Sequence, residues 1–166
     1  SGQWFTNFAE VNLEQSGQRV KGWYVWYGAA QRRLLEGIVD GNVLTGQYNG
    51  TRYPFVFTLT ADGVFNGFWQ DSSRARYQWC GVRKGALPDG CGFSGHWNTD
   101  TEPSRRGAVA DLKQTGSSVE GTFFNGATAT DRGSRGVLRG TLGRGSQYTL
   151  TGRYTVDGFT DDFRWE

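Results

Sequence analysis

Five short motifs occur twice in this chain, in the same order. Gly2-Gln3-Trp4 returns as Gly95-His96-Trp97, and Leu13-Glu14-Gln15-Ser16-Gly17 as Leu112-Lys113-Gln114-Thr115-Gly116. Val20-Lys21-Gly22 returns as Val119-Glu120-Gly121, and Leu35-Glu36-Gly37 as Leu138-Arg139-Gly140. Leu44-Thr45-Gly46-Gln47-Tyr48 matches Leu150-Thr151-Gly152-Arg153-Tyr154. Ordered matches of this kind mark a duplicated structural unit, and the widening distance between partners places insertions in the loops. The chain therefore reads as a first β-repeat over 1–83, a cysteine loop at the junction over 84–92, and a second, shorter β-repeat over 93–166. Nothing in the second copy is expected to match Tyr53-Pro54-Phe55-Val56-Phe57-Thr58-Leu59.

Within each copy the apolar residues recur every second position, the period of a strand. Val20, Gly22, Tyr24 and Trp26 share one face, and Lys21, Trp23, Val25 and Tyr27 the other. Leu44, Gly46 and Tyr48, and later Leu150, Gly152 and Tyr154, repeat the pattern of one apolar face opposite a polar one. Antiparallel strands with one buried side alternate in this way. Asp40-Gly41, Asn49-Gly50, Asp62-Gly63, Asn125-Gly126 and Asp157-Gly158 fall between the runs as turn signals. No segment carries a helical period.

Gly22, Gly37, Gly46, Gly121, Gly140 and Gly152 all lie on the apolar face, although glycine weakens a strand interior. A sharply curved sheet needs small residues on its concave side. The expected fold is all-β, an antiparallel meander whose internal duplication forms one or two β-barrels. Closure would also remove unpaired strand edges.

The 26 glycines occur without a Gly-X-Y period, which excludes collagen, and 15% aromatic residues argue against a flexible linker. The net charge of +2 is spread along the chain, with no basic patch of the kind nucleic-acid binding needs. No apolar run is long enough to span a bilayer. Gly85, Pro88, Asp89 and Gly90 make the segment between Cys80 and Cys91 a reversing loop, so a Cys80–Cys91 disulfide is expected, and with it a secreted, periplasmic or extracellular setting. One histidine is too few to support a zinc site on these thiols.

The opening Gly2-Gln3-Trp4 strand, the meander of hairpins, and Leu150-Thr151-Gly152-Arg153-Tyr154 followed by Asp157-Gly158 resemble streptavidin and the wider avidin and lipocalin (calycin) group. The resemblance implies up-and-down barrels that bind small ligands at the mouth. Avidins place an Asn two residues after the opening Trp, where it helps hold biotin. Thr6 and Thr99 stand at the matching positions, with Asn7 and Asn98 in shifted register, so the resemblance does not extend to biotin.

Catalytic signals are thin. His96 lies in a strand pattern with no nucleophile motif around it, and Asp161 and Asp162 point to opposite faces of a regular strand, which separates them as a dyad. Asp161 shares parity with Phe159, Phe163 and Trp165 and reads as an acid near a barrel end, paired with an arginine or touching a ligand. No catalytic residue, cofactor or metal is assigned. Binding residues are read in two sets. Trp26, Tyr48 and Trp69 belong to the apolar face as core or ligand contacts. Trp23, Tyr27 and Phe68 project from the polar face as sugar platforms or as the contact between repeats. The expected function is non-catalytic binding of carbohydrate. A small hydrophobic ligand in a barrel lumen is the first alternative. A protein-interaction or inhibitor module, using the loop Gly81–Gly90, is the second.

Overall fold

The computed structural model describes residues 1–60, 63–99, 106–143 and 149–165. The first half forms nine strands: β1 (Gly2–Thr6), β2 (Ala9–Ser16), β3 (Arg19–Trp26), β4 (Arg33–Asp40), β5 (Val43–Tyr48), β6 (Pro54–Thr60), β7 (Val64–Gln70), β8 (Arg76–Gln78) and β9 (Gly81–Val82). The second half adds β10 (Gly95–Asn98), β11 (Val109–Thr115), β12 (Ser118–Phe124), β13 (Arg135–Gly143), β14 (Thr149–Val156) and β15 (Phe159–Trp165).

The first half is a closed antiparallel barrel of eight strands. β1 to β7 follow one another as a meander, and β9 sits between β7 and β1 to complete the ring, while β8 extends from β7 alone. This architecture is compatible with a calycin-like fold. The second half is a meander in the order β10 to β15, and no pairing joins β10 to β15 among the described residues.

Glycine sets the curvature where two strands press together. Gly37 and Gly46 face each other across β4 and β5, as Gly140 and Gly152 do across β13 and β14. A Cβ on Gly46 would collide with the Glu36 carbonyl and lie 2.7 Å from the Phe55 ring. Asp157-Gly158, both at positive φ, is the two-residue turn between β14 and β15, while Asn49-Gly50, also both positive, reverses the chain at the start of a longer loop to β6, with Thr51 N donating to Tyr48 O at 2.9 Å. Asn125-Gly126 differs from expectation: it opens a long irregular connection between β12 and β13, tied by the bridge between Arg106 and Ala127. Asp62 of the Asp62-Gly63 turn lies outside the described residues.

One reading of the repeat is corrected. β15 occupies in the second half the place of β6 in the first. Gly46 pairs with Phe55 and Leu44 with Phe57, while Gly152 pairs with Phe163 and Leu150 with Trp165. Phe163 and Trp165 therefore correspond to Phe55 and Phe57. The spacing of aromatics was kept while the intervening residues changed, so motif matching missed the relation. Among the described residues of the second half no strand corresponds to β7 or β9.

Aromatic rings pack the inside of the barrel. Trp79 is buried 4.9 Å from the Phe57 ring and 5.2 Å from Tyr24, both edge-on, and 5.0 Å from Phe8. Trp4, Phe55, Phe57 and Phe65 complete the packing. A separate core of Ala110, Leu112, Val119, Leu138, Leu142 and Leu150 lines the inner face of the second sheet.

The two halves meet at Gln114, which is fully buried. Its side-chain amide donates to Asn7 O (3.1 Å) and Gly116 O (2.9 Å), and its Oε1 accepts from Phe93 N (3.0 Å). Asn7 in turn donates to Gln78 O and accepts from Cys80 N. The Cys80–Cys91 disulfide forms beside this joint, with a Cα separation of 5.9 Å, and packs with Val82 and Leu87.

Candidate functional site

The strands deliver two groups of rings and charges to one end of the barrel. Trp26 comes from the end of β3, Arg33 from the start of β4, Tyr48 from the end of β5, and Trp69 from the end of β7. The Asp71 to Ala75 turn then reverses the chain, so that Tyr77 of β8 pairs with Trp69. The Arg33 guanidinium lies 4.2 Å over the Trp26 ring, and its charge opposes the rise in pKa that burial gives the Tyr24 phenol. Tyr48 and Trp69 meet edge to face at 5.8 Å, and Trp69 stacks on Tyr77 at 4.5 Å. Trp26 is 37% exposed and Tyr77 39%, so each ring remains accessible.

Asp71 fixes the geometry of the β7–β8 turn. Its Oδ1 accepts from Ser73 N, Ser73 Oγ and Ala75 N, and its Oδ2 from the Tyr77 hydroxyl at 3.1 Å. The Ser73 hydroxyl bond is the main reason its carboxyl stays below the usual aspartate range, with partial desolvation opposing it. The same carboxylate raises the Tyr77 phenol. Tyr48 is also raised, first by burial and then by Tyr24, Asp71 and Tyr53 nearby, and its hydroxyl donates to Gln70 O at 2.8 Å.

The six aromatic residues read from sequence thus divide. Trp26, Tyr48 and Trp69 belong to this rim. Trp23 and Phe68 lie on the outer wall, on β3 and β7 with three strands between them, and each has an arginine over its ring: Arg32 at 4.1 Å and Arg76 at 4.4 Å. They do not form one platform. Tyr27 is not on an outer face. β3 ends at Trp26, the chain turns at Gly28, and the Tyr27 ring enters the core of the second half while its hydroxyl donates to Thr6 O at 2.9 Å. Period-two parity failed there because it was carried one residue past the strand. The contact between repeats is the role the structure gives it.

Arg33, Asp71 and Tyr77 escaped the sequence reading. The signal for the last two was Asp71-Ser72-Ser73, a side-chain-capped turn that makes Trp69 and Tyr77 cross-strand partners. Other expectations shift as well. In the Gly81–Gly90 loop expected of an inhibitor module, Leu87 is 3% exposed and packs beside the disulfide. Asp161 is exposed and accepts from Asp162 N, while Asp162 is the acid that pairs with an arginine, Arg153, at 3.2 Å. Asn7 is committed to the joint and Asn98 is exposed on β10.

A second concavity, an open groove of about 540 Å³, runs across the outer face of the second sheet. His96 Nδ1 lies 2.7 Å from Asp111 Oδ1 there, beside Lys113, Glu120, Thr122 and Arg139. Its charges answer one another across the strands, with Lys113 opposite Glu120 and Glu120 opposite Arg139. No group of three or more potential metal ligands occurs among the described residues, and no helix is long and apolar enough to cross a membrane. Comparison of the chain with protein-family models, curated proteins and solved structures finds no match.

Proposed function

We propose that this chain is a non-catalytic, carbohydrate-binding protein of avidin–lipocalin type that acts outside the cell and holds sugar at the rim of its closed barrel. The observation that carries this reading is the placing of two ring-and-charge groups at one barrel end, Trp26 with Arg33, and Tyr48, Trp69 and Tyr77 with Asp71. A pyranose presents an apolar ring face and a polar hydroxyl edge. Accessible aromatic faces suit the first, and fixed charged groups suit the second. The rings are already held by edge-to-face and stacked contacts, so binding orders few side chains. The lumen is filled by the protein's own rings, which directs a ligand to the rim rather than the interior. The disulfide suits an oxidising compartment.

A glycan array tests the reading. Trp26→Ala is expected to weaken the bound glycan at least tenfold, about 1.4 kcal/mol. Trp23→Ala, on the outer wall, is expected to leave binding intact. An array without a bound glycan, or full binding by Trp26→Ala, refutes it.

A further inference from the structure

Positive charge that is dispersed along the sequence gathers when the chain folds. The β3–β4, β5–β6 and β7–β8 connections all lie at the rim end of the barrel, and the pairing of β4 with β5 and of β6 with β7 makes them neighbours. Arg32 and Arg33 come from the first, Arg52 from the second, and Arg74 and Arg76 from the third. Asp71 is the one acid within 27–33, 49–53 and 71–76, and its oxygens already accept from Ser73, Ala75 and Tyr77. None of the five arginines forms an ion pair with a carboxylate among the described residues. The second half shows that this charge is no by-product of the architecture. Its matching connections, β12–β13 and β14–β15, set Arg132 and Arg135 against Asp131 and Asp157.

Four of the five guanidiniums are held over rings: Arg32 over Trp23 at 4.1 Å, Arg33 over Trp26 at 4.2 Å, Arg52 over Tyr53 at 5.8 Å and Arg76 over Phe68 at 4.4 Å. An arginine kept in this way loses little further freedom on binding, and its fork of N–H donors matches the oxygens of carboxylate and sulfate. Arg74 stands at φ 69°, a region glycine adopts more easily, so the turn carries an arginine there despite the backbone strain. We infer that the sugar held at this rim is an acidic polysaccharide, with carboxylate or sulfate groups at intervals along its chain. The inference rests on the proposed rim site and adds its substrate class. Neighbouring connections stand two strand spacings apart, about 10 Å. A single anion meets one of them, whereas a chain of anions meets all three, with the sugar rings between reaching Trp26 and Tyr77. Single-stranded nucleic acid brings similar charge, but it is held by bases stacked on open aromatic faces. Here Trp23, Trp26 and Phe68 each lie under an arginine, and Trp69 is stacked on Tyr77.

Calorimetry on the intact protein tests the inference with two matched pairs of probes. Polygalacturonate oligomers carry carboxylates and their methyl esters do not; dextran sulfate carries sulfates and dextran does not. At least one acidic member is expected to bind ten times or more tightly than its neutral counterpart, with an affinity that falls as salt is raised. Which pair shows the difference tells carboxylate from sulfate. The Arg52→Gln/Arg74→Gln/Arg76→Gln variant, altered only at exposed side chains and checked for its native circular dichroism, is expected to bind that acidic member at least tenfold more weakly. An Arg19→Gln/Lys84→Gln/Arg139→Gln variant removes the same charge from exposed positions outside the three connections and is expected to bind as the unaltered protein does. Equal binding of charged and neutral members, lost in Trp26→Ala, overturns the inference and leaves the rim reading standing. Equal losses in the two triple variants overturn it in favour of unspecific charge attraction. Tighter binding of a thymidine oligonucleotide than of either acidic chain overturns it in favour of nucleic acid. Absence of binding by all four sugar probes also overturns it, while neutral glycans on the array decide the rim reading separately.

Discussion

Gln114 holds the two halves together, and replacing it with methionine isolates what its polar atoms contribute. Methionine has a similar length and no branch, so the packing changes little. The substitution removes the acceptor of Phe93 N and the donor to Asn7 O. Thr6 O, which also receives a longer 3.4 Å contact from Gln114, keeps the Tyr27 hydroxyl, and Gly116 O lies nearer the solvent. One buried group, Asn7 O, therefore loses its partner at about 1–3 kcal/mol, while Phe93 N, part-buried like Gly116 O, adds less. Gln15 provides the control, because it is the repeat counterpart of Gln114. Its side-chain amide makes the same local bond, to Gly17 O at 2.9 Å as Gln114 does to Gly116 O, but on an exposed surface. Gln15→Met is expected to cost less than about 0.5 kcal/mol. Urea unfolding followed by tryptophan fluorescence and far-ultraviolet circular dichroism reads both variants, and separate transitions would show that the halves have been uncoupled. Adding Tyr27→Phe to Gln114→Met strips Thr6 O of both donors, so the double variant should lose about 1 kcal/mol more than the sum of the singles. A Gln114→Met protein within 1 kcal/mol of Gln15→Met would refute the assignment of Gln114 as the joint.

Two further outcomes follow from the joint and the rim. Replacing Cys80 and Cys91 together by alanine opens a loop of sequence separation 11, at a cost of about 2–3 kcal/mol from loop entropy, measured by urea unfolding under oxidising conditions. The pH response of the β7–β8 turn has a definite sign. The folded Asp71 pKa lies below its ordinary 3.8, so its contribution is fully present above that value and is lost as pH falls through the lowered one. An NMR titration should find the turn ordered at pH 4 and released on further acidification, with Asp71→Asn abolishing the acid response.

Much of the fold was legible because its causes are local. The duplicated motifs coincide with strands that pair in the same registers in both halves, as Gly37 with Gly46 and Gly140 with Gly152. Asn49-Gly50 and Asp157-Gly158 place two consecutive positive-φ residues where hairpins turn. Asn125-Gly126 carries the same signal yet opens a long loop, since a turn dipeptide constrains its own backbone and not the distance to the next strand. The candidate site was half legible. Periodicity found Trp26, Tyr48 and Trp69, whose strands aim them. It could not find Arg33, whose place over Trp26 depends on the β3–β4 connection, nor Tyr77, whose place depends on a side-chain-capped turn. Tyr27 shows the same limit from the other direction, because alternation stops describing a residue once the strand has ended.

The filling of the barrel also indicates where binding can occur. An eight-stranded barrel has an interior just wide enough for side chains, or for one small ligand if those side chains are withheld. Here they are not withheld. Trp79 lies against Phe8, Tyr24, Phe55 and Phe57, and Trp4 and Phe57 both meet Phe65, so a guest would have to displace rings that make the core. Removing even one such ring costs about 3–5 kcal/mol, more than a weak sugar or lipid contact returns. The proposed sugar site is therefore expected at the barrel's end, at the accessible rings of Trp26 and Tyr77. A lumen-binding mode requires Trp79 to leave its site, and its fluorescence would shift to the red as the indole met water. Retention of a buried Trp79 signal on saturation with any ligand keeps binding at the barrel's margins.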